Sequence, residues 1–86
     1  MKQFEFTVRD PMGLHARPAG LLAKLAKSYA DTVIMLSKGD VSVKATQLMR
    51  VLSLNVKQGE TVSVTADGPS EDAAITAIGA LFQTDL

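Results

Sequence analysis

The chain contains no cysteine, and His15 is the only histidine among its 86 residues. Without thiols it can form no disulfide, and it has neither a cysteine nucleophile nor a thiolate metal ligand. One imidazole is also too few for a metal centre, which takes three or four protein ligands. A Ser-His-Asp hydrolase is disfavoured, because no G-x-S-x-G turn occurs and so small a domain offers little cleft. Covalent chemistry, if the chain performs any, therefore points to His15 acting by itself.

An excess of charge and a long apolar run are also missing. The nine Lys and Arg residues balance the nine Asp and Glu residues, which weighs against a nucleic-acid partner. No run approaches the roughly 20 apolar residues of a membrane span, and the amino terminus has no hydrophobic signal region. The apolar fraction of 47% is sufficient for a core. We therefore expect one domain over residues 1–86, monomeric, cytoplasmic, not inserted in a membrane and without a cofactor.

Alternating and helical apolar patterns predict seven elements in the order β-α-β-β-α-β-α. Four short strands with three helices indicate an α+β domain in two layers, with the helices on one face of the sheet. The other face is expected to be solvated, because Thr7, Ser42, Ser63 and Thr65 are out of phase with the apolar positions. The predicted elements are a strand over Phe4–Val8, a helix from about Ala16 to Tyr29, a strand over Val33–Leu36, a turn at Ser37–Asp40, a strand over Val41–Val43, a helix from Gln47 to about Leu54 with Thr46 as N-cap, a strand over Thr61–Ala66 and a helix starting at Ser70–Asp72.

The stretch Gly13–Ala19, with the sequence GLHARPA, surrounds the single histidine. Pro18 is typical of the first turn of a helix, so His15 is predicted at or just before a helix N-terminus. Free backbone N–H groups and the helix dipole attract anions there, and the N–H groups of Ala16 and Arg17 are the candidate phosphate-binding donors. Arg17 is a cation at the unfavourable end of the dipole, which makes sense if a dianion binds beside it. Alternatively, His15 is an ordinary surface residue or a hydrogen-bonded interior one, and Arg17 is a solvated residue that happens to lie in the first turn.

Two further features are open to more than one interpretation. Gly20 lies inside the predicted first helix and indicates either close approach of a partner or an internal packing constraint. The short second helix has apolar residues on more than one side, so either Met49, with Leu48 or Leu52, forms an exposed docking patch near the His15 loop, or all of them belong to the core.

The GLHARPA stretch, the chain length and the element order resemble the HPr family, the histidine-containing phosphocarriers of the bacterial phosphoenolpyruvate-dependent sugar phosphotransferase system. The resemblance implies an open-faced β-sandwich, in which three helices cover a four-stranded antiparallel sheet. It also implies that His15 accepts a phosphoryl group on Nδ1 from enzyme I and passes it to enzyme IIA domains, while Arg17 steadies the group. Such a protein is a stoichiometric carrier and not an enzyme. The implied partner-docking residues are Gly20, Lys24, Lys27, Leu48, Met49, Arg50, Leu52 and Ser53.

Two positions depart from the family pattern. Many members carry a regulatory serine at the start of the second helix, where this chain has Gln47, which cannot be phosphorylated; only Thr46 offers a neighbouring hydroxyl. Met12 stands where a small polar residue commonly precedes Gly13. The alternative function is an HPr-fold regulatory binding protein of the nitrogen-related or catabolite-control kind. Members of that kind without relay activity tend to lack the histidine, so His15 with Arg17 favours the relay. A small-molecule-binding domain has no supporting motif.

Overall fold

The computed structural model describes residues 1–86 and contains the seven predicted elements in the predicted order. The α+β class is confirmed, with one four-stranded antiparallel sheet and three helices. None of the helices is both long and apolar enough to span a bilayer. The elements are β1 (Lys2–Thr7), α1 (Ala16–Lys27), β2 (Val33–Lys38), β3 (Val41–Lys44), α2 (Leu48–Ser53), β4 (Thr61–Asp67) and α3 (Glu71–Asp85).

The sheet has the strand order β1-β4-β2-β3, so β4 lies between two strands that precede it in the chain. Because side chains alternate along a strand, one face of the sheet buries the apolar residues and the other carries hydroxyl groups. On this second face the Oγ1 atoms of Thr7 and Thr61 are 2.8 Å apart, and the Oγ atoms of Ser37 and Ser42 are 2.6 Å apart. The predicted polar face is therefore present, held by hydroxyl pairs between neighbouring strands.

The core lies between the buried face of the sheet and the helices α1 and α3. Nineteen buried residues form one hydrophobic cluster. Phe82 of α3 is fully buried and packs edge-to-face against Phe4 and Phe6 of β1, with ring centroids 5.7 and 5.4 Å away. Edge-to-face pairs each contribute about 0.5–1.5 kcal/mol beyond burial of their area. These aromatic contacts thereby join the first strand to the last helix.

Most predicted boundaries were wrong by one or two residues: β1 covers Lys2–Thr7 instead of Phe4–Val8, and β2, β3 and β4 each end one or two residues later than predicted. The helix α1 ends at Lys27 and not near Tyr29, because the Ser28 hydroxyl donates to the carbonyl of Leu25 and the chain leaves in a turn. The turn after β2 is limited to residues 39–40, because Ser37 and Lys38 pair with β3 in the ladder.

The helix α2 begins at Leu48, one residue later than predicted, and its N-cap is Gln47 instead of Thr46. The Gln47 N–H donates to the Lys44 carbonyl at 3.1 Å, so Ala45 and Thr46 belong to the turn that leaves β3. Gln47 is extended, with φ −102° and ψ 92°, and its side chain makes no capping hydrogen bond.

Candidate functional site

The turn before His15 is fixed by Asp10 and Gly13. The Gly13 N–H donates to the Asp10 carbonyl at 2.8 Å, and the Met12 N–H donates to Asp10 Oδ1 at 2.8 Å. Gly13 has φ +66°, and a side chain there would overlap the Val56 carbonyl oxygen and stand 2.9 Å from the Lys57 Cα. Only glycine fits both the backbone conformation and this close approach. The turn therefore has a single backbone conformation and packs against the segment that precedes β4.

Hydrogen bonds to two distant segments hold this turn in place. The Leu14 N–H donates to the Val56 carbonyl at 3.0 Å. On the other side, the N–H groups of Arg9 and Asp10 both donate to the Leu86 carbonyl, at 2.6 and 2.8 Å. The Arg9 guanidinium lies 5.4 Å from the centre of the Phe6 ring, which adds a cation–π contact. His15 is thus presented on a backbone attached to two neighbouring segments.

An ion-pair cluster around Lys38 supports the segment under the turn. Lys38 Nζ donates to the carbonyls of Leu54 and Asn55, at 3.2 and 3.0 Å, and lies 3.0 Å from Glu60 Oε1. The same Glu60 oxygen accepts the Lys57 N–H at 2.7 Å. The hydrogen bond from the Lys57 N–H, followed by the bond from Lys38, lowers the pKa of Glu60 below its ordinary value.

His15 is the N-cap residue of α1, as its sequence context predicts. Its φ of −92° and ψ of −173° are extended, and its carbonyl accepts the Ala19 N–H at 3.0 Å. The imidazole makes no capping hydrogen bond and remains 30% exposed. The N–H groups of Ala16 and Arg17 have no acceptor within the protein. A partly exposed imidazole therefore adjoins two unsatisfied donors at the positive end of a helix.

The Arg17 side chain is close to a carboxylate at the end of α3. It is 76% exposed, and its Nη1 lies 3.7 Å from Asp85 Oδ1. The first turn of α1 contains no acidic residue, and the last turn of α3 contains no basic one. Arg17 therefore places a positive charge near the carboxyl end of α3, which has no basic residue of its own and is favoured by one through the helix dipole. An exposed pair of this kind is worth at most about 1 kcal/mol, so the guanidinium is free to move to another anion.

Two acidic residues at the site, Asp10 and Asp85, were missed by the sequence interpretation. Asp10 Oδ2 lies 3.7 Å from His15 Nε2. Asp10 could have been found, because Asp followed by Pro11 and then Gly13 is a typical turn sequence in which the carboxylate bonds the backbone two residues on. Asp85 has no local signal, since only the tertiary fold brings it to Arg17.

The short helix α2 exposes a small apolar surface. Met49 is 75% exposed and Leu48 is 37% exposed, whereas Val51 is buried and Leu52 half-buried. The open question about Leu48 and Met49 is settled in favour of exposure for both.

The charged and polar residues of α1 and α2 named in the sequence analysis also reach solvent. Lys24, Lys27, Arg50 and Ser53 are exposed. A Cβ at Gly20 would meet nothing within 4 Å, so internal packing does not require glycine there. The docking role of all these positions stays a prediction. The same holds for regulation at Gln47, which is exposed, and at Thr46, which is half-buried.

The fold and the site together define a class of small open-faced β-sandwich that presents one histidine at an uncapped helix N-terminus. The family described as "PTS HPr component phosphorylation site" matches residues 2–84 of the chain. The chain therefore belongs to the HPr family of phosphocarrier proteins, as its resemblance predicts.

Individual relatives agree with this assignment. The phosphocarrier protein HPr of Mycoplasma genitalium is 30% identical over 96% of this chain and 94% of its own length. The crystal structure of HPr from Thermoanaerobacter tengcongensis matches with a TM-score of 0.91 and 34% identity, over 98% of this chain and 93% of that one. Crh, the Bacillus subtilis catabolite-repression protein, matches with a TM-score of 0.76 and 32% identity, over 100% and 98%.

Proposed function

We propose that this protein is a stoichiometric phosphoryl carrier, which accepts a phosphoryl group on His15 Nδ1 from enzyme I and donates it to enzyme IIA domains. The observation that carries the proposal is the half-exposed imidazole at a helix N-terminus whose Ala16 and Arg17 N–H groups lack acceptors. Membership of the HPr family supports it independently. The protein turns over no substrate by itself and is not an enzyme.

The transfer step needs one free lone pair on the imidazole. Nδ1 supplies it in this proposal, as the family resemblance implies, and Nε2 carries the proton. The new bond joins Nδ1 to phosphorus, while the bond between phosphorus and the donor breaks and its electron pair stays with the donor. The proton on Nε2 remains in place, and the reverse sequence delivers the group to the next protein.

The oxygens of the bound phosphoryl group are held by the N-terminus of α1. The N–H groups of Ala16 and Arg17 donate to them, and the guanidinium of Arg17 leaves Asp85 to bind the developing charge. The two backbone donors are preorganised, and such donors reduce the barrier because they require no rearrangement as the charge moves. No metal or cofactor is assigned to the step.

Docking uses the exposed surface of α1 and α2, with Leu48 and Met49 as its apolar centre. Around them, Lys24, Lys27 and Arg50 provide positive charge for acidic partners. Gly20 leaves α1 flat enough for close approach, and Leu52 and Ser53 complete the surface at the end of α2.

The docking surface is tested by Met49→Asp. A charge at the centre of a surface that must exclude water is expected to weaken binding to enzyme I and enzyme IIA by about 2–4 kcal/mol, the range of hot-spot substitutions. Since Met49 is exposed, thermal stability should be unchanged. Val41→Asp, which puts the same charge on an exposed apolar position of β3, is the control. Normal binding by Met49→Asp, measured by calorimetry, contradicts the assignment.

A regulatory binding protein of the catabolite-control kind is the second candidate, favoured by the likeness to Crh. The two functions differ in whether His15 carries phosphate. Incubation with phosphoenolpyruvate, Mg²⁺ and enzyme I, followed by intact-mass measurement, should show one added phosphoryl group. The group should be lost in acid, kept in base and absent from His15→Ala, whose melting temperature should match that of the wild type because the ring is partly exposed. An unmodified wild-type protein would favour the regulatory function.

A further inference from the structure

The Asp10 carboxylate is held rigidly beside the imidazole. Its Oδ1 atom accepts the Met12 N–H at 2.8 Å, which fixes the side-chain rotamer. Its backbone is fixed as well, since the Asp10 N–H donates to the Leu86 carbonyl and its own carbonyl accepts the Gly13 N–H, both at 2.8 Å. With Oδ1 occupied, the other oxygen points towards the ring, and Oδ2 lies 3.7 Å from His15 Nε2. The only oxygen of Asp10 free to act on the imidazole is thus already aimed at it.

A carboxylate in this position discriminates between the two neutral forms of histidine. A carboxylate oxygen only accepts hydrogen bonds, so it is attracted to Nε2 when that atom carries the proton and repelled when it carries a lone pair. At 3.7 Å, Oδ2 and Nε2 are too far apart for a hydrogen bond, so the carboxylate acts on the ring through its charge. A small rotation of the ring would shorten this distance. Both side chains are about 30% exposed, at 30% and 28%, so water screens the effect only partly.

We infer that Asp10 is a positioning residue, which holds the Nε2–H form of His15 and so directs phosphoryl acceptance to Nδ1. This inference rests on the proposed carrier function and adds to it the group that selects the attacking nitrogen. After transfer, the ring carries a positive charge with its proton still on Nε2, and the same carboxylate faces that charge. Asp10 therefore favours the reactive tautomer before the step and the phosphorylated ring after it.

Asp10→Asn separates this role from the structural one. The asparagine Oδ1 can still accept the Met12 N–H, so the turn is kept. Its amide group, however, places N–H donors where Oδ2 was, and a donor facing Nε2 favours the opposite tautomer, with the proton on Nδ1. Asp40→Asn, which removes a carboxylate from the exposed turn between β2 and β3, is the matched control for the loss of charge.

Two measurements test the inference. The imidazole ¹⁵N chemical shifts of the unphosphorylated protein should show Nε2–H as the main neutral tautomer in the wild type and in Asp40→Asn, and a shift towards Nδ1–H in Asp10→Asn. The rate of phosphoryl acceptance from enzyme I should fall about fivefold in Asp10→Asn and remain unchanged in Asp40→Asn.

An Asp10→Asn protein with the wild-type tautomer ratio overturns the inference, and so does acceptance at Nε2 in the wild type. The tautomer measurement needs no phosphate, so it distinguishes failure of this inference from failure of the carrier function. A wild-type protein that shows the predicted tautomers but accepts no phosphate would contradict only the carrier function. Equal melting temperatures of the three proteins would show that the turn is intact.

Discussion

The N-termini of α1 and α3 follow similar glycine turns, but their first turns carry opposite charges. Each helix starts three residues after a glycine with positive φ that lies against another backbone segment, Gly13 on Val56 and Gly68 on Asp31 and Thr32. At α3 the first turn contains Glu71 and Asp72. At α1 the first turn has no acidic residue and contains Arg17 instead. One terminus thus has its own anions, and the other has none.

The hydrogen bonds of the two termini are similar, so the difference lies in the charges of the first turns. Before α3, the Ser70 N–H donates to Thr32 Oγ1 at 3.0 Å, and the Gly68 N–H donates to Glu71 Oε1 at 3.3 Å. Before α1, the His15 N–H donates to the Gly13 carbonyl at 3.1 Å and the Gly13 N–H to the Asp10 carbonyl at 2.8 Å. In the first turns, the N–H groups of Ala16 and Arg17 in α1 and of Asp72 and Ala73 in α3 all lack an acceptor within the protein. The comparison teaches that the candidate phosphate site is defined by the acidic residues that α1 omits, because carboxylates in its first turn would repel a phosphoryl group.

The largest expected effect comes from removing the Arg17 guanidinium from the first turn of α1. Arg17→Ala should slow phosphoryl transfer about 10²- to 10³-fold, the typical cost of losing one donor to a developing charge. Arg17→Lys should recover only part of the rate, because an ammonium group lacks the planar fork. Rapid-quench transfer rates and enzyme I affinity are measured in parallel. Unchanged rates with weaker affinity would make Arg17 a docking residue.

The glycines that the two termini share give the next effect. Gly13→Ala and Gly68→Ala should each destabilise the fold by about 1–3 kcal/mol, because positive φ and the close backbone contact both oppose a side chain. Only Gly13→Ala should also slow phosphoryl acceptance by the protein that remains folded, since only Gly13 positions His15. Urea unfolding gives the first quantity and transfer rates in dilute buffer the second. Equal loss of transfer in both variants would contradict the assignment of separate roles.

Adding the missing anion should make α1 resemble α3. Ala16→Glu places a carboxylate in the first turn and should stabilise the protein by about 0.3–1 kcal/mol through the helix dipole. The same charge should repel the incoming phosphoryl group, so that acceptance falls while stability rises. Ala16→Gln, with a similar shape and no charge, is the control. A variant that is more stable and equally active would show that the terminus does not bind the phosphoryl group.

The smallest effect is a difference in pH dependence. The pKa of Glu71 is lowered, first by the Met1 amino group and then by the Gly68 N–H. The charged carboxylate therefore stabilises the fold fully above the ordinary Glu pKa of about 4.3, and this contribution is lost as the pH falls through the lowered value. Glu71→Gln should lose stability at neutral pH and show a smaller further decline in acid. Thermal melts from neutral to acidic pH test this, with Glu5→Gln as the control.

Local patterns predicted the elements because the features that define them are near in sequence. The alternation in β1 and β4 and the helical spacing in α1 and α3 record which side of each element is buried. The boundaries that failed depend on single hydrogen bonds, such as the one from the Gln47 N–H to the Lys44 carbonyl. The strand order cannot be read from these patterns, because the position of β4 between β1 and β2 depends on packing across the whole chain.

The parts of the site that depend on neighbouring residues in the sequence could be predicted. The position of His15 at a helix N-terminus follows from Pro18 and the preceding glycine. The partners of that site are not local. Asp85 reaches Arg17 through the packing of α3, and Val56 reaches Leu14 through the loop before β4. Sequence reasoning placed His15 at the helix N-terminus and missed the carboxylates around it.

The central place of β4 has a consequence for the newly made chain. A ribosome releases β1, His15 and α1 long before β4, yet β1 finds its only strand partner in β4, and the His15 turn finds its support at Val56 and Leu86. These contacts can form only after the chain has been synthesised as far as Val56, β4 and Leu86. A nascent or misfolded chain therefore displays the histidine on a backbone without the geometry that we propose for transfer. Phosphorylation would then act as a check on completed folding, because only finished molecules could enter the relay.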